Sequence, residues 1–253
     1  MLRRLAPLLG ALSLAACATV PAPEPAAGVG RLTARAQQNV AACAAGEQRV
    51  EIPGGPPAVL YVPESAANDP APLLVFLHGA GGTAERVLPW IKPHAERAGI
   101  AVLLPGSVGS TWDGIRGKPL LDVQRLDRAL EQTFSRCAVD RRRIAVGGFS
   151  DGASYALTLG VANGDLFSRI LAFSPCGISR EVTPHGRPAI FIAHGRQDPV
   201  LPIDRCGRPI AGALTRSGYA VRLLEFDGKH EVPDSVALEG LSWFRRSGGG
   251  VPR

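Results

Sequence analysis

Residues 143–154 read RIAVGGFSDGAS. Ile144 to Phe149 form an apolar run of the kind that makes a strand buried on both faces. Asp151 to Val161 reads as a helix. Between them lies Gly148-Phe149-Ser150-Asp151-Gly152, a G-x-S-x-G pattern. A serine on so sharp a strand-to-helix turn has its hydroxyl exposed, and side chains at the flanking glycines would clash. In a chain with 30 glycines the pentapeptide alone is weak. Its strand–turn–helix setting makes Ser150 a candidate nucleophile.

A serine nucleophile needs a base, an acid to orient that base, and donors for the developing oxyanion. Downstream, the apolar run Ala189 to Ala193 leads into His194-Gly195-Arg196-Gln197-Asp198, and Val221 to Phe226 leads into Asp227-Gly228-Lys229-His230. The chain order serine, acid, histidine assigns Asp198 as acid and His230 as base. Asp204 and Asp227 are fallback acids. His194 precedes Asp198, which breaks that order, and is read as packing at a strand end. His94 and His185 are read as surface or helix residues. Upstream, Leu73 to His78 is another buried run, followed by Gly79-Ala80-Gly81-Gly82. Those glycines let backbone N–H groups approach a substrate oxygen, and the Ala80 and Asp151 amides are the expected oxyanion donors. His78 shapes that loop. Trp112, in the loop Ser107 to Lys118, is expected either to line a substrate pocket or to cover the core.

The rest of the chain alternates short Val/Ile/Leu-rich runs with amphipathic stretches. Gln48 to Pro53 and Ala58 to Pro63 flank Gly54-Gly55-Pro56-Pro57 and predict a hairpin. Thr83 N-caps a helix to Arg97. Leu120 to Arg136, Ile203 to Ser217 and Pro233 to Arg246 are further helices, and Ala101 to Pro105 and Arg169 to Ser174 further strands. A hairpin followed by βα units predicts a mostly parallel sheet with helices on both faces, as one domain over residues 48–253.

The N-terminus addresses the compartment. Met1 to Arg4 is basic, and Leu5 to Ala16 is apolar but short for a bilayer span, a secretory signal pattern over residues 1–16. Leu14-Ala15-Ala16-Cys17 resembles a bacterial lipobox, which predicts acylation of Cys17. Residues 18–30, rich in Pro, Ala and Gly, look like a flexible tether, residues 17–47 are expected to be the lipidated Cys with its tether, and Ala18, by analogy with known lipoproteins, points to the outer membrane. Four further cysteines remain: Cys43, Cys137, Cys176 and Cys206. Three pairings are possible, and free buried thiols are the alternative. Cys176 and Cys206 should follow neighbouring strands at one sheet edge, which favours Cys176–Cys206 and leaves Cys43–Cys137. None of the spacings is that of a zinc site. The net charge of +6 is spread along the chain, with Arg141 to Arg143 its one tight run. No clustered stripe or module for nucleic acid is present.

The segments HGAGG at 78–82, GFSDGAS at 148–154, HGRQDPVLP at 194–202 and GKH at 228–230 together resemble the phospholipase/carboxylesterase branch of the α/β-hydrolases and the related polyhydroxybutyrate-depolymerase-like esterases. The resemblance spans about Glu51 to Phe244. It implies an α/β-hydrolase fold, a Ser150–Asp198–His230 triad, no metal or cofactor, and hydrolysis of small to medium carboxylic esters through an acyl-enzyme. Ala153, where the family often has Gly, and Lys229 before His230 depart from the family pattern and bear on substrate. The short segment Cys176 to Pro188 leaves no room for the cap domain many members carry. A hydroxyalkanoate depolymerase, a peptidase and a non-catalytic envelope-binding protein are the alternatives on this scaffold.

Overall fold

In the strands, successive side chains leave on opposite faces, and here both sides are apolar. The computed structural model describes residues 28–246, except Asn39, Asn68 and residues 118–120. Residues 1–16, expected to be a signal, Cys17 and the first part of the expected tether lie outside the described residues. Eight strands form one sheet: β1 (Gly46–Val50), β2 (Ala58–Val62), β3 (Ala71–Leu77), β4 (Ala101–Leu104), β5 (Val139–Phe149), β6 (Arg169–Phe173), β7 (Ala189–Gly195) and β8 (Val221–Phe226). Their order is β1-β2-β4-β3-β5-β6-β7-β8. β2 runs antiparallel to β1 and β4, and every other neighbouring pair is parallel.

Alternation along the strands divides the core in two. Leu73, Val75, Leu77, Ile144, Val146, Ile190 and Ile192 face one layer. Leu74, Phe76, Ala145, Leu171, Phe173, Phe191 and Ala193 face the other. The first layer is covered by α3 (Leu121–Arg136), α4 (Asp151–Ala162) and α5 (Gly207–Arg216), the second by α1 (Ala84–Ala98) and α6 (Asp234–Arg246). Thr83 caps α1 through its side chain, which accepts from the Arg86 N–H. A four-residue α2 (Asp113–Arg116) precedes α3; it is too short to leave a periodic signal. No described helix is long and apolar enough to cross a membrane.

Two segments differ from the expectation. Residues 31–43, read as tether, are packed on the domain. Leu32, Ala34 and Ala36 are buried, the Leu32 N–H donates to Asn163 Oδ1 at 2.8 Å, and Arg31 pairs with Asp165. Alternation of such small side chains is hard to tell from a linker by composition. β5 also begins earlier than expected. Val139 pairs with Ala71, the register then shifts, and exposed Arg141 and Arg142 occupy the bulge. Cys43 is bonded to Cys137 and Cys176 to Cys206, the pairing favoured from strand adjacency.

Every parallel strand points its C-terminal end toward one edge of the sheet. Ala80, Ser150, Asp198 and His230 follow β3, β5, β7 and β8 at that edge, where ligands of open α/β sheets collect.

Candidate active site

The turn after β5 is strained in a way its glycines explain. Ser150 has φ 57° and ψ −119°, a backbone state that costs a non-glycine residue about 1–3 kcal/mol. It is held there by its N–H, which donates to Phe173 O at 2.9 Å. A Cβ on Gly148 would lie 2.6 Å from Leu77 O, and one on Gly152 would lie 2.5 Å from His78 O. Both glycines therefore let β5 and α4 close against the end of β3. Asp151 is the first residue of α4, and first-turn amides have no partner within their own helix.

The structure brings Ser150, Asp198 and His230 together from three loops. His230 Nε2 lies 2.9 Å from Ser150 Oγ, and His230 Nδ1 lies 2.7 Å from Asp198 Oδ2. An ionised carboxylate only accepts, so the Nδ1 proton points to Asp198 and Nε2 is left to accept from the serine. Burial alone would raise the Asp198 carboxyl. Amides of Leu201 and Val200, each donating to Oδ1, together with His230, outweigh it and hold the group below the ordinary carboxylate range. Of the fallback acids, Asp204 pairs with Arg208 and Asp227 with Arg196.

His194 sits behind the acid. It is fully buried, its Nε2 lies 2.7 Å from Leu201 O and 3.4 Å from Asp198 Oδ2. The carbonyl accepts only, so Nε2 carries the proton. This imidazole fixes the turn whose amides hold Asp198. His194→Phe should lower kcat/KM about 10- to 100-fold by loosening that turn. His194→Gln, which restores a donor near Nε2, should recover most of the loss. Burial holds His194 and His78 below the ordinary histidine range. As pH falls through about 6.5, the unfolded chain binds protons that the folded chain excludes, so stability is lost with falling pH. The thermal midpoint should drop between pH 7.5 and 5.5, less steeply in His194→Gln.

The loop after β3 is braced from below. His78 Nε2 accepts from the Ser107 N–H at 3.2 Å, which leaves the proton on Nδ1, 2.8 Å from Gly79 O. Gly81 has φ 69°, a conformation glycine adopts at little cost, and its N–H donates to Ser110 O at 2.6 Å. Ala80 lies inside this braced turn. Trp112, expected as a possible pocket residue, is buried instead. Its Nε1 donates to His78 O at 2.9 Å and its ring stacks on Tyr155 at 5.4 Å. A large ring with one donor can both fill the core and hold a carbonyl. Thr111 donates to Asp151 Oδ2 at 2.6 Å, so one loop steadies both expected oxyanion donors.

Two depressions are lined by the chain neighbours of the serine, Phe149 in one and Asp151 in the other. The one beside His230, of about 320 Å³, is lined by Phe76, Val87, Trp90, Phe149 and Val232, with Arg86 and Glu231 also on its wall. Trp90 of α1 thus both packs against Phe76 and lines the pocket. On an amphipathic helix the two roles leave the same apolar period. The second, more polar and of about 300 Å³, is lined by Ile115, Asp151, Ser154 and Cys176.

Residues 122–238 match the sequence profile of the Phospholipase/Carboxylesterase family. The chain is 30% identical over 154 residues to a protein described as probable feruloyl esterase C of Aspergillus oryzae, covering 58% of this chain and 56% of that one. It thus spans about half the length of the first curated relatives it matches. Among solved structures, an S-formylglutathione hydrolase of Staphylococcus aureus superposes with TM-score 0.64 at 14% identity, over 82% of this chain and 98% of that one. The Bacillus cereus carboxylesterase gives 0.59 at 19%, over 74% and 92%. At such identities the two structures establish the fold alone.

Proposed function

We infer that this chain, an α/β-hydrolase of the phospholipase/carboxylesterase family, is a serine esterase that takes carboxylic esters with an aryl or similarly flat apolar arm. The observation that carries the reading is the continuous chain Asp198–His230–Ser150, with links of 2.7 and 2.9 Å, ending on a strained elbow.

His230 Nε2 takes the Ser150 proton as Oγ attacks the ester carbonyl. Asp198 keeps the imidazole in its tautomer and stabilises the imidazolium. The Ala80 and Asp151 N–H groups meet the oxyanion, and losing one such donor typically costs about 3 kcal/mol of barrier. Collapse expels the alcohol, which receives the proton from His230. Water then repeats the sequence on the acyl-enzyme, releasing the acid and free Ser150.

The aryl preference is supported by the ring-lined depression beside His230 and by the likeness to a protein described as a feruloyl esterase. A fluorophosphonate probe should add its mass at Ser150, and p-nitrophenyl and cinnamate-type esters should be turned over. Labelling that survives Ser150→Ala would overturn the assignment. Trp90→Ala should raise KM for cinnamate-type esters about tenfold while short acetyl esters change little, because one buried ring face is worth roughly 1–3 kcal/mol. Equal effects on both ester classes would remove Trp90 from the pocket.

We also propose export with lipidation at Cys17. Its support is the lipobox-like sequence and two disulfides, which persist in oxidising compartments. Metabolic labelling with an alkynyl fatty acid should tag the wild-type chain and not Cys17→Ala; an untagged wild type would overturn it.

A further inference from the structure

The catalytic depressions leave a larger cavity unused on the flank of α4. It measures about 590 Å³ and lies between the C-terminal half of α4, residues 178–187 and α5. Val161, Ile178, Ile210 and Tyr219 give it an apolar wall, and the guanidinium-bearing residues Arg180 and Arg187 stand on its edge. Both arginines are exposed, and neither pairs with a carboxylate among the described residues. The position of Arg187 is fixed: its Nη1 donates to Ser217 O at 2.6 Å, and its guanidinium lies 5.0 Å from the centre of the Tyr219 ring. Tyr219 is 6% exposed and its hydroxyl has no hydrogen-bond partner among the described residues.

A water-filled groove asks for none of this. An apolar wall gains by covering hydrocarbon, and a fixed guanidinium next to it presents a planar fork of donors suited to a carboxylate. The Tyr219 ring, against which that guanidinium lies, adds an aromatic face to the wall. Cationic or neutral occupants would leave the arginines unanswered. Pro184 and Pro209 stiffen two of the lining segments. No triad residue lines the cavity, and Ile178 separates it from the depression beside Asp151.

We propose that this cavity is a binding site for an amphipathic carboxylate, a medium-chain alkyl or aryl acid, distinct from the catalytic site. It follows from the proposed esterase reading that such acids are what the reaction releases, so the site would sense product; the binding itself does not depend on catalysis.

The test is calorimetric titration of the full chain with sodium octanoate, octanol and octyltrimethylammonium. Octanoate should bind at least about tenfold more tightly than the other two, since a charge-assisted pair is the stronger interaction. Arg180→Glu with Arg187→Glu should weaken octanoate at least about tenfold, and the exposed control Arg141→Glu with Arg142→Glu should not. The titration is then repeated after capping Ser150 with a fluorophosphonate. Binding that survives capping supports a separate site. Binding lost on capping places the acid in the catalytic depression and overturns the proposal, as does equal binding of octanol or indifference to the Arg180/Arg187 reversal. A chain that resists capping would speak against the esterase reading alone, and the arginine variants would still decide this one.

Discussion

Ser150→Ala should lower kcat for p-nitrophenyl esters by about 10⁶, and His230→Ala by a similar factor, while the double variant falls little further. The reason is geometric. Ser150 Oγ and His230 Nε2 are 2.9 Å apart, so each is useful only through the other: the hydroxyl without a base is a weak nucleophile, and the base without a hydroxyl has no proton to take. A residue of about 10³- to 10⁴-fold over water should remain in all three variants, supplied by the oxyanion donors and by binding. Asp198→Ala should cost less than either, because its part is to orient and stabilise. The measurement is steady-state turnover with thermal melting as control. Additive losses in the double variant would mean that the two residues serve separate steps. Ser150→Ala should leave the melting temperature unchanged or raise it, since alanine is no worse than serine at φ 57° and one polar group in a crowded turn is removed.

What could be read in the sequence depended on how each residue does its work. Ser150, Asp198 and His230 are residue types recognised by side-chain chemistry at strand ends, and strand ends are visible as the places where apolar runs stop. The sheet was legible because strands buried on both faces leave continuous apolar runs, whereas its exact limits were not: β5 begins at Val139 rather than Ile144 because a bulge absorbs the arginine run. Trp90 and Trp112 show where reading stops. One sits on an amphipathic helix and faces a pocket; the other sits on a loop and is buried. Their surroundings are set by chain segments far away in sequence, Phe76 of β3 and Val232 after β8 for Trp90, His78 and Tyr155 for Trp112, and no local pattern encodes such a meeting. Residues 31–43 fail for the opposite reason: their contacts to Asp127 and Asn163 are made mostly by backbone, which every sequence supplies equally.

Gly152→Ala should destabilise the protein by about 3 kcal/mol or more and remove most activity, against the direction of helix propensity. Alanine normally stabilises a helix over glycine by about 1 kcal/mol. At position 152 the added methyl would overlap Leu77 O and approach His78 O to 2.5 Å. Both are backbone atoms at the end of β3, which is locked between β4 and β5, so neither can rotate away as a side-chain tip would. Overpacking of this kind costs about 1–3 kcal/mol even where neighbours can adjust. If the methyl is accommodated, α4 must back away from β3. That movement would carry Ser150 from His230 and Asp151 from the oxyanion, and a displacement near 1 Å costs about 10²-fold in rate. Gly212→Ala in α5 supplies the contrast. Its methyl meets only Arg216 Nη1, at 3.3 Å, the mobile end of a long side chain, so it should be neutral or stabilising. Chemical denaturation of the two variants, with turnover measured on the folded fraction, separates the effects. Equal stability changes for Gly152→Ala and Gly212→Ala would mean that the elbow does not need its second glycine, and the close approach of α4 to β3 would lose its place in the account of the site.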